Sequence, residues 1–297
     1  MSDMKTVITG ASGFLGRYLI KELLDIGAEL VLVGRRSGQI SGFPVISTDY
    51  SVDSLTEYFR GVDAVVHLAS TRGVFENLSA YYDCIDITEN VYRAAALCNV
   101  KNIVYASSIS VYSGTDLPYK ETQIAAPGNM YGVQKLTCEQ LGRIYGIRHG
   151  LKVKNLRFAH LYGANEQNNY MINIFFRKAF AREQLQVFAK NNARRQMLYA
   201  KDAARAVVVA LKHPSLEGNF NIGCPDVLTN SEIAETICRV FSPENKVLYG
   251  DQTENTSSSY MDGTKTRELL HFEPQYTFEE AVKEIYKDML LIARSGE

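Results

Sequence analysis

The 297-residue chain predicts an α/β fold: a doubly wound, mostly parallel sheet followed by a smaller C-terminal α/β lobe. Three observations carry that expectation. Short β-branched runs alternate with longer amphipathic stretches through the first half, a glycine-rich turn follows the first run, and the alternation weakens after Gly163.

Lys5–Thr9 reads as the first strand, Phe14–Gly27 as a helix and Glu29–Val33 as the second strand, with a third strand-like run before Asp49. A helix over Val52–Arg60 leads to a strand at Ala64–Leu68; a helix over Ala80–Cys98 leads to a strand at Asn102–Ala106. A long helix over Met130–His149 precedes the strand Lys154–Phe158. Such spacing implies right-handed crossovers and a sheet covered on both faces. Beyond Gly163 come a polar loop, a helix to about Ala181, a short strand at Leu185–Phe188, a helix over Ala200–Leu211 and a strand at Asn219–Ile222 that returns to the main sheet. Helices at Asn230–Phe241, Thr264–Leu270 and Phe278–Ala293 complete the chain. The expected division is a dinucleotide-binding domain over residues 1–163, with the return segment about 196–222, and a substrate lobe over 164–195 and 223–297.

The turn Gly10-Ala-Ser12-Gly13-Phe14-Leu15-Gly16 sits between first strand and first helix. Glycines there let the backbone approach a pyrophosphate resting on the free N–H groups of the helix, the arrangement of a Rossmann-type nucleotide site. At the end of the second strand stand Arg35 and Arg36, with no acid. A carboxylate there would favour a ribose 2′-hydroxyl, whereas guanidinium groups fork onto a 2′-phosphate, so NADP(H) is the expected cofactor and NAD(H) the alternative. Asp49 is a candidate partner for the adenine amino group, and Leu68, Ala69 and Ser70, at and just past the end of the Ala64–Leu68 strand, are candidate cofactor contacts.

Tyr131 and Lys135 share one face at the start of the long helix. An ammonium beside a phenol favours phenolate, so the pair is a sufficient acid–base unit. The strand ending Ala106-Ser107-Ser108-Ile109-Ser110 offers hydroxyls to a substrate oxygen, and residue chemistry alone does not choose among the three serines.

Net charge of −1 supplies no general attraction for nucleic acid, and the longest apolar runs are too short for a bilayer span. The N-terminal residues lack the apolar core of a signal peptide, and five cysteines without CxxC or metal spacing point to reduced thiols in the cytoplasm. No metal site is expected.

The ordered motifs TGASGFLG, Asp63-Ala-Val-Val-His-Leu-Ala-Ser70, SSxSVY, YGVQK, Leu156-Arg-Phe-Ala-His-Leu-Tyr-Gly163 and Arg195-Gln-Met-Leu-Tyr-Ala-Lys-Asp202 span most of the chain. On these residues the chain resembles the extended short-chain dehydrogenase/reductases of the nucleotide-sugar epimerase/dehydratase group. The resemblance implies Tyr131 as acid/base, Lys135 as its helper and Ser108 as the hydroxyl partner. It also implies substrate contacts at Thr71, Arg72, Ser108, Ser110, His160 and Arg195, the last on a diphosphate, and segments Ser70–Asn77 and Asn165–Arg177 facing the substrate. A homodimer through the helices around Ala80–Cys98 and Met130–His149 follows from the same likeness.

Departures narrow the activity. Ile109 and Ser110 occupy the place of the acidic pair that dehydratases use, so dehydration is not expected. Cys84 and His160 stand where the group often has Asn, and the stretch Asp251–Ser259 lacks the second arginine that often precedes the residue matching Asp262. The leading expectation is an NADP(H)-dependent reductase of a 4-keto nucleotide sugar. A 4-epimerase of a UDP-hexose or UDP-N-acetylhexosamine is the first alternative; a non-catalytic NADP(H)-binding protein is the second. Replacing Arg35 with Asp is expected to weaken NADPH by about 10- to 100-fold, the worth of a charge-assisted hydrogen bond, with NADH unharmed. Steady-state KM values for both cofactors check this, and an unchanged NADPH preference contradicts it.

Overall fold

A computed structural model describes residues 4–71, 73–164, 166–188, 192–251 and 257–295. The chain begins with β1 (Lys5–Thr9), α1 (Phe14–Asp25) and β2 (Glu29–Gly34), then a short hairpin of β3 (Gly38–Ile40) and β4 (Phe43–Ser47). Next come α2 (Val52–Phe59) and β5 (Ala64–His67), then a 3-10 turn at Leu78–Tyr81 running into α3 (Tyr82–Leu97). The central segment is β6 (Asn102–Ser108), α4 (Met130–His149), β7 (Lys152–Phe158) and β8 (His160–Tyr162). The last third holds α5 (Met171–Phe180), β9 (Gln186–Val187), β10 (Arg194–Tyr199), α6 (Ala200–Leu211) and β11 (Gly218–Ile222). It closes with β12 (Val227–Thr229), α7 (Asn230–Phe241), β13 (Leu248–Tyr249), α8 (Thr264–Leu270) and α9 (Phe278–Ser295).

The main sheet has eight strands in the order β11-β7-β6-β5-β1-β2-β4-β3. All neighbours pair in parallel except the β3–β4 hairpin at one edge. Strand order reverses beside β1, with β2 on one side and β5 on the other, so a crevice opens beyond the carboxyl ends there. The apolar runs Val7-Ile8 and Ala64-Val65-Val66 are wholly buried because helices cover both faces. One core cluster joins α1 and α6 to the sheet through Leu19, Ile20, Val207 and Phe220; another joins α2, α3 and α4 through Leu55, Phe59, Tyr92 and Cys138. A third cluster, with Phe176, Val187, Ile237, Phe241 and Val282, holds the C-terminal helices together.

The expected bounds of α4, α6, α7 and α8 agree with the structure residue for residue. Their ends are chemically marked: Asn129 Oδ1 accepts the Gly132 N–H at 2.8 Å, and Gly150 ends α4 in the left-handed conformation. Thr229 and Glu232 form a reciprocal capping box on α7. Other helices and long strands shift at their ends by one or two residues, and the main differences lie in short strands. β8, β10 and β12 form a separate three-stranded sheet and β9 pairs with β13, none with enough residues to show a clear period, and the expected strand Leu185–Phe188 contracts to Gln186–Val187.

Beneath the end of β6 lies a buried ion pair. Arg157 on β7 donates to Glu139 on α4 through Nε at 2.9 Å and Nη2 at 2.6 Å, and both side chains are almost fully buried. Ser107 Oγ also donates to Glu139, and Arg157 Nη1 donates to Tyr112 Oη, which in turn donates to Asn221. The network joins β6, β7, α4 and β11. Arg157→Met leaves the carboxylate buried without its cation and is expected to cost about 3–5 kcal/mol. Urea denaturation checks this, and a loss below about 1 kcal/mol contradicts it.

His67 is also fully buried, with Nδ1 2.7 Å from Thr9 Oγ1 and Nε2 2.9 Å from Thr88 Oγ1. Burial, and then the nearby Lys135 ammonium, push its pKa down to about 3 from the ordinary 6.5. Below pH 6.5 the unfolded chain therefore takes up a proton that the folded chain refuses, and the stability from neutral His67 fades as pH falls toward 3. His67→Gln is expected to flatten that acid arm of the stability–pH curve; an arm of unchanged slope contradicts the reading.

Candidate active site

The carboxyl edge of the sheet opens into a cleft of about 1680 Å³. It brings together Gly10, Ser12, Gly13, Phe14, Leu15, Gly16, Arg35, Arg36, Leu68, Ala69, Ser70, Thr71, Ser108, Ser110, Tyr131, Lys135, His160 and Arg195. Arg72 and Asn165 lie outside the described residues, as do residues 252–256 of the stretch before Asp262.

At one end, β1 stops at Thr9 and the chain turns through Gly10, whose φ is +72°. A Cβ on Gly10 would stand 2.6 Å from the Ala69 nitrogen, and one on Gly16 would stand 2.3 Å from the Ala11 oxygen. The turn is therefore packed to backbone distance against the end of β5, and Gly13 leads α1 with no side chain over its first N–H groups. The helix-end N–H groups and their partial positive charge fit a pyrophosphate. The residues present thus fit a dinucleotide: turn and α1 for the phosphates, Arg35 and Arg36 at the end of β2 for the adenosine ribose. Both arginines are exposed within the cleft wall. Asp49 stands outside that wall; its carboxylate accepts the Ser51 N–H at 2.8 Å, which lowers its pKa. Its neighbour Tyr50 is the buried residue that lines the cleft, a contact the sequence reading missed.

At the other end, α4 carries Tyr131 and Lys135 against β6. Lys135 is buried, donates to the Ala106 carbonyl at 2.9 Å and holds its ammonium 5.6 Å from the centre of the Tyr131 ring. The ammonium thereby faces both the strand end and the phenol. The structure separates the three serines. Ser107 Oγ is committed to Glu139, whereas Ser108 Oγ accepts the Ser110 N–H at 3.1 Å and keeps its own hydrogen for donation. That leaves Ser108 and Ser110 with hydroxyls able to give a hydrogen bond to a developing negative oxygen, and sets Ser107 aside.

Between β8 and β10, His160 and Arg195 meet. Burial, then the Arg195 guanidinium, hold the His160 pKa at about 4, and its Nε2 is buried without a hydrogen-bond partner. Arg195 Nε donates to Asn230 Oδ1 at 3.2 Å, a tether that residue spacing did not disclose. Two further features were missed. Cys84 Sγ accepts the Thr71 N–H at 2.9 Å and donates to Thr71 Oγ1, and Tyr81 packs against Tyr131 with ring centres 6.1 Å apart. Among the described residues no cluster of His, Cys, Asp and Glu could hold a metal ion, and no helix is long and apolar enough to cross a membrane.

This geometry has known counterparts. A crystal structure of UDP-N-acetylglucosamine 4-epimerase from Bacillus cereus is 46% identical, covers 96% of this chain and 99% of that one, and superposes with a TM-score of 0.90. The dTDP-4-dehydro-6-deoxyglucose reductase of Escherichia coli is 25% identical over 95% of this chain and 96% of its own. The UDP-N-acetyl-alpha-D-glucosaminuronate decarboxylase of Bacillus cytotoxicus is 26% identical over 94% of this chain and 96% of its own. Residues 6–223 match the description "NAD dependent epimerase/dehydratase family" and contain both the glycine turn and the Tyr131–Lys135 pair. The chain belongs to the NAD-dependent epimerase/dehydratase family of enzymes.

Proposed function

We propose that the chain is an NADP(H)-dependent reductase of a 4-keto nucleotide sugar. The observation that carries this reading is the end of β2, where Arg35 and Arg36 enter the cleft wall and no carboxylate stands. Cations there favour a 2′-phosphate, and a phosphorylated cofactor suits a reaction that consumes a reduced nicotinamide. The 25% identity to the Escherichia coli reductase over nearly the whole chain supports the same direction.

A nicotinamide cofactor held by the glycine turn and α1 would supply the hydride. The protein supplies everything else. Arg195 binds the diphosphate of the sugar nucleotide, and its bond to Asn230 fixes the direction of the guanidinium. Ser108 donates a hydrogen bond to the C4 oxygen as charge grows on it. Tyr131 then gives that oxygen its proton, and Lys135, held on the Ala106 carbonyl, stabilises the phenolate that remains.

A second reading is a nucleotide-sugar 4-epimerase, favoured by the 46% identity to the Bacillus cereus structure. It uses the same residues, with Tyr131 first accepting and then returning the proton. The two readings differ in stoichiometry, because only reduction consumes cofactor. Non-catalytic binding is disfavoured by the intact Ser108, Tyr131 and Lys135.

Three further proposals accompany this function. The substrate lobe comprises 164–195 and 223–297, supported by the separate C-terminal core cluster. A homodimer forms through α3 and α4, supported by exposed Leu97 and Ile147 on those helices. The setting is cytoplasmic, supported by five free thiols.

Purified protein given NADPH and a 4-keto nucleotide sugar is expected to consume the cofactor and form the hydroxy sugar. Interconversion of two hexose nucleotides with no net cofactor change would overturn reduction in favour of epimerisation. In either case Tyr131→Phe is expected to lower kcat by about 10²- to 10⁴-fold, the usual worth of a positioned acid. Full activity in that variant contradicts the proton-donor role.

A further inference from the structure

Tyr81 lies at the end of the 3-10 turn before α3, fully buried, and touches both the reactive edge of the cleft and the segment that leaves β5. Its hydroxyl donates to the Gly73 carbonyl at 2.8 Å and accepts the Phe75 N–H at 3.0 Å. The edge of the Tyr81 ring meets the Phe75 ring at 5.6 Å, while its other neighbour is Tyr131. One hydroxyl thus uses both its donor and an acceptor site on the backbone of a single loop. Two of its described residues, Val74 and Phe75, are exposed to 62% and 44%. The nearest other pin is Cys84, which binds Thr71 through both backbone N–H and hydroxyl.

Thr71, Gly73 and Val74 line the cleft beside Cys84, on the side where Tyr131 stands. A ligand reaching Tyr131 with its reacting carbon must lay the rest of that ring against these residues. We propose that Tyr81 is a specificity-determining positioning residue: it mounts the sugar-facing loop and the proton donor on one rigid support, so that the loop selects the sugar while the nucleotide is bound elsewhere. The proposal rests on the nucleotide-sugar reading given above and assigns one part of that site. A loop freed by loss of the hydroxyl samples many conformations, and the ligand must restore the bound one at an entropic cost. The ring, still in place, continues to support Tyr131.

The direct test is Tyr81→Phe in the NADPH-loaded enzyme, with calorimetric affinity measured for UDP and for UDP-N-acetylglucosamine. The expected result is about tenfold weaker binding of the sugar nucleotide, the size of one or two lost hydrogen bonds, with UDP and NADPH affinities unchanged. Hydrogen exchange at the Phe75 amide is expected to accelerate in the same variant. Unchanged binding of the sugar nucleotide overturns the proposal, as does a parallel loss of UDP and NADPH affinity, which would mark a merely structural role. Should the wild-type enzyme bind no nucleotide sugar, including UDP-, dTDP- and 4-keto forms, the functional reading itself fails. The mount is then judged on exchange alone: faster exchange at Phe75 upholds it, and unchanged protection overturns it.

Discussion

The helix α4 reaches the carboxyl edge of the sheet because Gly132 has no side chain. A Cβ at that position would lie 2.0 Å from the Ser110 carbonyl oxygen and 2.8 Å from Pro127, contacts that no other residue could accommodate without moving the helix. The approach places Tyr131 and Lys135 beside the end of β6, and the Lys135 bond to the Ala106 carbonyl locks the contact. Ser108 and Ser110 belong to the chain that Gly132 meets. Hydroxyl, phenol and ammonium therefore share one small volume as a consequence of one close backbone contact. Asn129, capping α4 from the residue just before it, fixes where the helix begins and so which residues face the strand.

A second close approach, at the opposite end of the cleft, does the same for the cofactor side. The turn at Gly10 lies against Ala69, so the glycine turn and the start of the loop after β5 are neighbours. The buried Glu139–Arg157 pair sits under the carboxyl ends of β6 and β7 and holds the Ser107 hydroxyl. A buried charge pair of this kind gives up hydration to fix geometry, and the geometry it fixes here is the strand end that carries Ser108. Cations outnumber the acid Asp83 among the described cleft residues, and Arg35, Arg36 and Arg195 line it at separate points, suited to an anionic ligand with several phosphates.

Much of this was legible from the residues. Helix α4 agrees with the expected bounds to the residue: twenty residues give a periodic pattern room to show, and in the structure Asn129 and Gly150 close its two ends. The glycine turn and the Tyr131–Lys135 pair were legible because each function demands particular residues at short spacing. β8, β10 and β12 were not, since strands of three to six residues show little periodicity and their pairing partners are remote in sequence. The choice of Ser108 over Ser107 depends on Glu139, 32 residues further along, and so lay beyond local reasoning. Tyr81 was invisible for a different reason. Its partners are backbone groups of Gly73 and Phe75, and a tyrosine at a helix start carries no mark that distinguishes a loop mount from ordinary packing. Asp49 was legible only as an acid near a strand end; its capping bond to Ser51 is a local turn preference that competes with any ligand for the same oxygen.

On the proposed function, the phenol of Tyr131 faces the reacting carbon of a ligand held between α4 and the nicotinamide. A crystal structure of the ternary complex with NADP(H) and a UDP- or dTDP-sugar measures it directly. The expected result is the Tyr131 hydroxyl within about 2.6–3.2 Å of the C4 oxygen, with Ser108 on the same oxygen and Arg195 on the diphosphate. A sugar bound with C4 turned away from Tyr131, or a phenol pointing out of the cleft, would contradict it.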